Sequence, residues 1–248
     1  VANNTVTSAD ATVATMVNRA PLVLRGEGVS SRVVEWPSQP GVAQLIMYQQ
    51  QRIPSADDLQ RWVDTIAARG YTSIRTSALS AQASAAVELV DFEPVQDLAL
   101  LQHDLMLRID RPRLPLARLA EQHHAQASEI DRAAFGDGWF LDPAALDEVR
   151  HATPHHRART VGGDPFAGYA VSGRDAGMGF LQRLAVHPAH QRQGLARALV
   201  LDSLRWMSRW RVERVLVNTP VNNEAALLLY ESTGFHRLRE HLRVYERS

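Results

Sequence analysis

The most informative part of the sequence is Leu184-Ala-Val-His-Pro-Ala-His-Gln-Arg-Gln-Gly-Leu-Ala196, which predicts the end of a strand, a turn and the start of a helix. Pro188 ends the strand because proline has no N–H for the ladder. The first N–H groups of the helix have no internal partner, and the helix dipole favours negative charge there. Gly194 leaves room for an anion such as phosphate. A glycine here is also typical of a plain strand-to-helix turn, so the context decides between the two readings.

Two motifs supply that context. The run Gln191-Arg-Gln-Gly-Leu-Ala196 resembles the pyrophosphate-binding pattern Q/R-x-x-G-x-G/A of the GNAT N-acetyltransferase superfamily. Downstream, Asn223-Glu-Ala-Ala-Leu-Leu-Leu-Tyr-Glu-Ser-Thr-Gly-Phe235 is similar to the second pattern of that superfamily, N-x-x-A-x-x-L-Y-x-x-x-G-F. Two motifs in the right order are far more specific than either alone. The resemblance implies the GNAT acyl-CoA N-acyltransferase fold, an α/β fold with a mixed, mostly antiparallel central sheet flanked by helices.

The resemblance also implies roles for residues at the matching positions. The cofactor would be acetyl-CoA, whose pantetheine arm would pair with the backbone of three strand residues, Leu184, Ala185 and Val186. Its pyrophosphate would be held by backbone amides of the turn and helix start, namely those of Gln191, Arg192, Gln193, Gly194, Leu195 and Ala196. Asn223 would touch the cofactor arm, and the hydroxyl of Tyr230 would protonate the departing thiolate. An isolated helical tyrosine is more often a core residue, but its position in the second motif favours the catalytic role.

The general base departs from the family pattern. Many relatives carry a glutamate at positions that correspond here to Gln182 and Asn218. Neither amide can accept a proton at neutral pH. The acceptor amine would then lose its proton to water held by Gln182, Asn218 or Thr219, or with help from a residue of another loop. His187 has a suitable unperturbed pKa of about 6.5, but the sequence favours an exposed turn residue at this position, and the base stays unassigned.

The loop Phe135-Gly-Asp-Gly-Trp-Phe140 lies where the superfamily shapes its acceptor pocket, so the resemblance makes Trp139 a candidate for contact with the substrate. An aromatic residue in a loop as often simply caps the core. The two readings of Trp139 stay open at this stage.

Composition narrows the classes of function. The chain has 248 residues, 45% of them hydrophobic, with 27 basic and 27 acidic residues. This balance predicts neither a nucleic-acid nor a membrane partner. The absence of cysteine excludes thiolate chemistry and disulfides and favours a cytoplasmic location. We expect no metal site, because the adjacent pairs His123-His124 and His155-His156 point their side chains apart.

Hydrophobic periodicity and turn residues predict an alternation of strands and helices. The main helices are expected at Ala11–Asn18, Asp57–Arg69, Ala81–Leu89, Leu116–Phe135, Pro143–His151, Arg192–Trp210 and Asn223–Ser232. The main strands are expected at Arg32–Trp36, Val42–Tyr48, Tyr71–Thr76, Arg157–Val161, Phe166–Ser172, Met178–Val186 and Arg214–Asn218. Strands with a turn at Glu93-Pro94 are expected within Phe92–Leu107, and a strand pair within Phe235–Glu246.

The first half of the chain reads as a weakened repeat of the second. At an offset of 143 residues Thr219 aligns with Thr76, while Tyr230 aligns with Val87 and Asn223 with Ser80. We therefore expect a degenerate GNAT-like domain at 1–104 and a catalytic GNAT domain at 105–248. The whole resembles a two-domain, actinobacterial-type member of the superfamily.

The predicted function is transfer of the acetyl group of acetyl-CoA to a primary amine by direct attack. A small-molecule amine and a peptide or protein N-terminus are both open as acceptors, and the oligomeric state is open as well. The alternative is a CoA-binding regulatory or scaffolding protein with little turnover, which the amides at 182 and 218 motivate.

Overall fold

The computed structural model describes residues 21–37, 39–47, 52–106 and 108–248. They form one sheet of eleven strands in the order β1-β2-β3-β4-β11-β5-β10-β9-β8-β7-β6. The strands are β1 Leu22–Gly26, β2 Val29–Glu35, β3 Val42–Met47, β4 Ser73–Thr76, β5 Glu93–His103, β6 Leu116–Arg118, β7 His155–Val161, β8 Gly168–Asp175, β9 Met178–Val186, β10 Arg214–Pro220 and β11 His236–Arg247. The helices are α1 Ala56–Ala68, α2 Ala81–Glu88, α3 His124–Phe135, α4 Pro143–His151, α5 Leu195–Ser208 and α6 Glu224–Ser232.

Only two neighbouring strand pairs, β3 with β4 and β9 with β10, run parallel among the described residues. All other neighbours in the sheet are antiparallel. Each parallel pair is joined through a helix, α1 or α5, because parallel strands need a crossover connection. The predicted α/β fold with a mixed, mostly antiparallel sheet flanked by helices is confirmed.

Several element boundaries follow local signals in the sequence. Ser55 caps α1 by accepting the N–H of Asp58 at 3.1 Å. Asp142 caps α4 by accepting the N–H of Ala145 at 2.8 Å, and Pro143 occupies the first turn. These are the positions at which a short polar side chain and a proline favour a helix start.

Four expectations about the elements need comment. The helix predicted over Leu116–Phe135 was wrong in its first turns, because residues 116–118 pair with β7 as an edge strand and the α-helix begins only at His124. The turn predicted at Glu93-Pro94 was wrong, since Pro94 lies within β5. The strand pair predicted near the C-terminus is one strand, β11, which pairs with β4 and β5. The helix predicted over Ala11–Asn18 lies outside the described residues.

The buried apolar residues form two large clusters. One packs α1 and α2 against β1 to β4, and it includes Leu45, Leu59 and Ile66. The other packs α5 and α6 against the strands of the second half, and it includes Leu101, Leu199 and Leu204. A smaller cluster lies between α3, α4 and the strands they cover. Helices therefore cover both faces of the second half.

The last strand of each half crosses into the other half. β5 does not pair with β4, which precedes it, but lies between β10 and β11. β11 likewise does not pair with β10, but lies between β5 and β4. The sheet of the second half therefore includes a strand from the first. The predicted domain boundary between residues 104 and 105 stays a prediction.

Among the described residues, no helix is long and apolar enough to cross a membrane. In the same part of the chain, no three His, Asp or Glu side chains cluster where they could hold a metal ion.

Candidate active site

A gap opens between the parallel strands β9 and β10. Their register holds for three residue pairs, from Met178 with Arg214 to Phe180 with Leu216, and then ends. Beyond that point β9 pairs only with β8, and β10 pairs only with β5. The edge of β9 at residues 184–186 that faces β10 therefore carries backbone groups without a strand partner, in reach of an extended ligand.

A β-bulge marks the place where the two strands separate. Val171 of β8 pairs with Arg183 and Ser172 pairs with Leu181, so Gln182 is the extra residue on β9. A bulge bends the strand and increases its local twist. The bulge thus accounts for the divergence of β9 from β10.

The turn after β9 forms the predicted cradle at the start of α5. Arg192 and Gly194 both adopt positive φ, of 63° and 79°, and residues 191–194 are exposed. Backbone turns that contain left-handed residues form concave anion-binding nests of N–H groups. Nothing lies within 4 Å of the position that a Cβ on Gly194 would occupy. The Gln191 side chain holds the turn to the strand by donating from Nε2 to the Val186 carbonyl at 3.3 Å.

The charge near this helix start favours an external anion. The first turn of α5 contains no acidic residue. Arg192 is exposed beside it, whereas Arg197 is engaged with α6, donating to the Ser232 carbonyl at 3.1 Å. The helix dipole and the free N–H groups therefore have no internal carboxylate as partner.

Helix α6 contributes Asn223 and Tyr230. Asn223 caps the helix, its Oδ1 accepting the N–H of Ala226 at 3.1 Å. Tyr230 is 5% exposed and packs beside Phe235 with 5.6 Å between ring centroids. Burial raises the pKa of its hydroxyl, against a smaller opposing effect of Arg183. Among the described residues, the Tyr230 hydroxyl has no hydrogen-bond partner, so its proton is available to a ligand.

Three of the four residues named as candidates for handling the amine proton occupy different places. Asn218 is exposed on β10, opposite Leu100 of β5. Gln182 lies over β8, where a Cβ on Gly173 would come within 2.7 Å of its Oε1, so its amide is on the side of β9 away from β10. His187 accepts the N–H of Ala189 with Nδ1 at 3.2 Å, as a turn-capping residue does.

A buried ion pair that the sequence reading missed lies next to the gap. Asp131 on α3 is fully buried, and Arg183, just after the bulge, binds both of its carboxylate oxygens. The Tyr169 hydroxyl and the Leu141 N–H also donate to Asp131. Despite burial, the hydrogen bonds with Asp131 raise the pKa of Arg183. The signal that could have identified Asp131 is its position four residues after Ala127, on the apolar face of α3.

Trp139 is half-buried and bridges the two sides of the gap. Its carbonyl accepts from Arg183 Nη2 of β9 at 2.8 Å. Its ring packs against the apolar cluster of Leu98, Leu242 and Val244. Because Leu98 pairs with Pro220, at the end of β10, Trp139 reaches from β9 to β5 across the mouth of the gap.

Comparison with known proteins agrees with this geometry. The acetyltransferase (GNAT) family model matches residues 122–235. N-alpha-acetyltransferase 30 of Saccharomyces cerevisiae is 36% identical over 67 residues, which are 27% of this chain and 38% of the yeast protein. The protein of the same name from Schizosaccharomyces pombe is 29% identical over 100 residues, 38% of this chain and 67% of that protein. This chain thus spans well under half of the first relative and about two thirds of the second.

Solved structures match over more of the chain. A tandem GNAT protein from the clavulanic acid biosynthesis pathway superposes with a TM-score of 0.63 and 14% identity, covering 89% of this chain and 78% of the other. A GNAT protein from Sphaerobacter thermophilus has a TM-score of 0.59 and 16% identity, with 89% and 76% of the two chains covered. At these identities the likeness concerns the fold. Residues 122–235, which contain the open gap and the cradle, are thus similar to the GNAT acetyltransferase family.

Proposed function

We propose that the protein is an N-acetyltransferase that moves the acetyl group of acetyl-CoA to the α-amino group of a polypeptide. The observation that carries the proposal is the separation of β9 from β10 directly before the open cradle of α5. An extended ligand with amide groups along its length and phosphates at one end fits this combination. A cytoplasmic location is part of the proposal, because a chain without cysteine has no disulfide for an oxidising compartment.

The residues present fit acetyl-CoA. The unpaired edge of Leu184, Ala185 and Val186 offers backbone donors and acceptors to the pantetheine amides, as a sheet edge does to an added strand. The cradle formed by residues 191–196 offers N–H groups to the pyrophosphate. Asn223, whose side-chain oxygen already caps α6, has its amide N–H groups left for the cofactor arm. Bound there, acetyl-CoA supplies a thioester carbonyl for attack by an amine and a thiolate as leaving group.

Tyr230 is suited to act as the general acid. Its raised pKa keeps the hydroxyl protonated at every physiological pH. A buried donor without a protein partner can deliver its proton to a sulfur that becomes negative during the reaction. Tyr230 on α6 shares an apolar core cluster with residues of β9 and β10, the two strands that border the gap. This position matches the role of general acid.

The missing carboxylate base favours an α-amino acceptor. Asn218 can orient water by hydrogen bonding but cannot hold the proton of an ammonium group. An α-amino group, with a pKa of about 7.7–8.0, is neutral in roughly one molecule in ten at pH 7, whereas a lysine-like amine with a pKa of about 10.4 is almost wholly charged. The names of the two fungal relatives refer to the same kind of acceptor. A small α-amino compound is the remaining open acceptor class.

The alternative function is binding of CoA without turnover. The observation that favours it is the absence of a carboxylate at Gln182 and Asn218. Both functions require the same cofactor site, so turnover alone separates them.

The test uses acetyl-CoA with a panel of short peptides that carry free α-amino groups and differ in their first two residues. The same peptides with a blocked N-terminus and an internal lysine serve as matched controls. Release of CoA is followed with a thiol reagent, to which this cysteine-free chain adds no background. We expect turnover with free α-amino groups, rising as pH approaches the pKa of the acceptor.

Each outcome has a separate meaning. Acetylation of lysine in the blocked peptides at equal rate would overturn the acceptor assignment. Micromolar binding of acetyl-CoA without turnover on any peptide or small α-amino compound would favour the alternative. Failure of the folded protein to bind acetyl-CoA would overturn both functions.

A further inference from the structure

The loop that carries Trp139 is held from two directions. From the second half, Leu141 donates its N–H to the buried carboxylate of Asp131 at 2.7 Å, and the Trp139 carbonyl accepts from Arg183. This anchor is rigid because both oxygens of the buried Asp131 carboxylate accept hydrogen bonds. It fixes the end of the loop that leads into α4.

The other anchor comes from the first half of the chain. Trp36, which follows β2 and is 8% exposed, donates its indole N–H to the Gly138 carbonyl at 3.0 Å. Its ring meets Trp139 edge to face, with centroids 5.3 Å apart and planes at 86°. Such pairs are attractive beyond the area that they bury.

Arg75 of β4 completes this second anchor. Its guanidinium lies 4.5 Å from the Trp36 ring centroid and 5.0 Å from that of Trp139. Nε and Nη2 donate to one oxygen of Glu246 at 2.9 and 2.7 Å, and Nη1 donates to Gln39 at 3.1 Å. A cation held between two aromatic rings and fixed by a carboxylate restricts the position of both rings.

Through these contacts the first half of the chain can act on the acceptor side of the site, by way of the loop that carries Trp139. We propose that Trp36 and Arg75 are positioning residues, which set acceptor specificity by holding Trp139 across the mouth of the gap. The acceptor then reaches Asn218 past the Trp139 ring. This inference rests on the proposed function, since it assigns the acceptor side of the same site.

The test replaces Trp36 with phenylalanine, which keeps an aromatic ring but removes the N–H donor. Trp62→Phe is a matched control, because Trp62 is buried in the same half and also donates its indole N–H to a backbone carbonyl, that of Arg25 at 3.2 Å. Arg75→Gln removes the cation in a second variant. Acetyl-CoA affinity, peptide KM and kcat over the peptide panel, and amide hydrogen exchange of residues 136–141 are measured for each.

Loss of one hydrogen bond corresponds to about a three- to tenfold change in an equilibrium. We therefore expect Trp36→Phe and Arg75→Gln to raise peptide KM about three- to tenfold and to change the ranking of the peptides. Acetyl-CoA affinity stays the same, and exchange of residues 136–141 becomes faster. Trp62→Phe lowers thermal stability and leaves KM and the ranking unchanged.

The proposal is overturned if Trp36→Phe leaves KM, ranking and exchange at the parent values. It is equally overturned if Trp62→Phe reproduces the changes, because a general loss of packing would then explain them. A parent that acetylates no acceptor contradicts the proposed function instead, and the exchange of residues 136–141 still decides whether Trp36 positions the loop.

Discussion

The two crossover helices of this protein begin in opposite ways. Each helix connects two parallel neighbouring strands, α1 between β3 and β4 and α5 between β9 and β10. Each helix start therefore presents free N–H groups and the positive end of the helix dipole where the preceding strand ends. At α5 the start is a glycine with open space around it. At α1 the start is filled by the chain itself.

Asp58 supplies the anion at α1. It is 3% exposed and accepts from the Ser55 hydroxyl at 3.0 Å, while its own N–H donates back to Ser55. Burial raises its pKa, but hydrogen bonds from Ser55 and from the backbone of Glu27 lower it further, and the net shift is downward. An open pocket of about 420 Å³ beside it is lined by the two carboxylates of Glu27 and Asp58 and by one guanidinium, that of Arg52. A phosphate is disfavoured there.

The strands next to these helices differ in the same sense. β3 and β4 stay paired over four residues, from Val42 with Ser73 to Leu45 with Thr76, which is all of β4. β9 and β10 separate after three pairs although both strands continue. The comparison teaches that a parallel crossover alone does not create the features of the proposed cofactor site. An open strand edge and a helix start without its own anion are needed together.

The largest effect is expected from placing an anion at the open helix start. Gly194→Glu puts a carboxylate and a side chain at a residue with φ of 79° in the cradle, so binding of acetyl-CoA should fall below detection by calorimetry. Gly28→Glu is the matched control, because Gly28 is exposed and has a φ of 70°. Gly28 lies in the turn between β1 and β2, close to the side chain of Arg52, which precedes α1. The control variant should leave one acetyl-CoA bound per chain. Binding to two sites, or loss in the control, would contradict the comparison.

The next effect concerns the hydroxyl that the first half lacks, since Val87 stands where the second half has Tyr230. Tyr230→Phe removes the acid and should lower kcat about a hundred- to ten-thousandfold with acetyl-CoA affinity nearly unchanged. Because burial raises the pKa of Tyr230, the parent should lose no rate through its ionisation up to the ordinary value of 10.0. Tyr245→Phe, which removes a hydroxyl bound to Glu88, is the control and should retain turnover. Equal kcat in both variants would remove Tyr230 from the mechanism.

A smaller effect, on thermal stability, is expected from removing the charge of Asp58 at the start of α1. Asp58→Asn should lower the melting temperature at neutral pH. The pKa of Asp58 is lower in the folded protein, so its ionised form stabilises the fold above the ordinary value of 3.8 and this contribution is lost as pH falls through the folded pKa. The difference in melting temperature between parent and variant should therefore disappear in acid. Asp57→Asn, at the exposed neighbouring position, serves as the control for loss of an acidic side chain from the same helix turn. A difference in melting temperature that does not depend on pH would contradict the role of the Asp58 charge.

The smallest effect is expected from the cap itself. Ser55→Ala removes the acceptor for the Asp58 N–H and should cost about 1 kcal/mol, a shift of roughly 2–4 °C in a chain of this size. Thermal unfolding with and without acetyl-CoA measures it. The stabilisation by acetyl-CoA should be the same as in the parent, because the proposed cofactor site lies at α5. A reduced stabilisation would place cofactor contacts at α1.

Local signals predicted much of the fold. The caps Ser55, Asp142 and Asn223 are short polar side chains directly before helices, and each performs that function in the structure. Strands β7, β8 and β9 correspond to three strands that the sequence predicted, at Arg157–Val161, Phe166–Ser172 and Met178–Val186. The edge strand at residues 116–118 could not be predicted in this way, because its strand conformation depends on pairing with residues 159–161, about forty positions later.

The sequence by itself determined the open helix start at Gly194, the tyrosine on α6 and most of the helices and strands, since these depend on residues close together in the chain. Tertiary structure decided which strands meet. Pairing of β5 with β10 and of β11 with β4 joins segments more than a hundred residues apart, and no local propensity encodes such contacts. The ion pair of Asp131 with Arg183 and the contact of Trp36 with Trp139 arise in the same way, from packing of distant surfaces that become neighbours only when the sheet is complete.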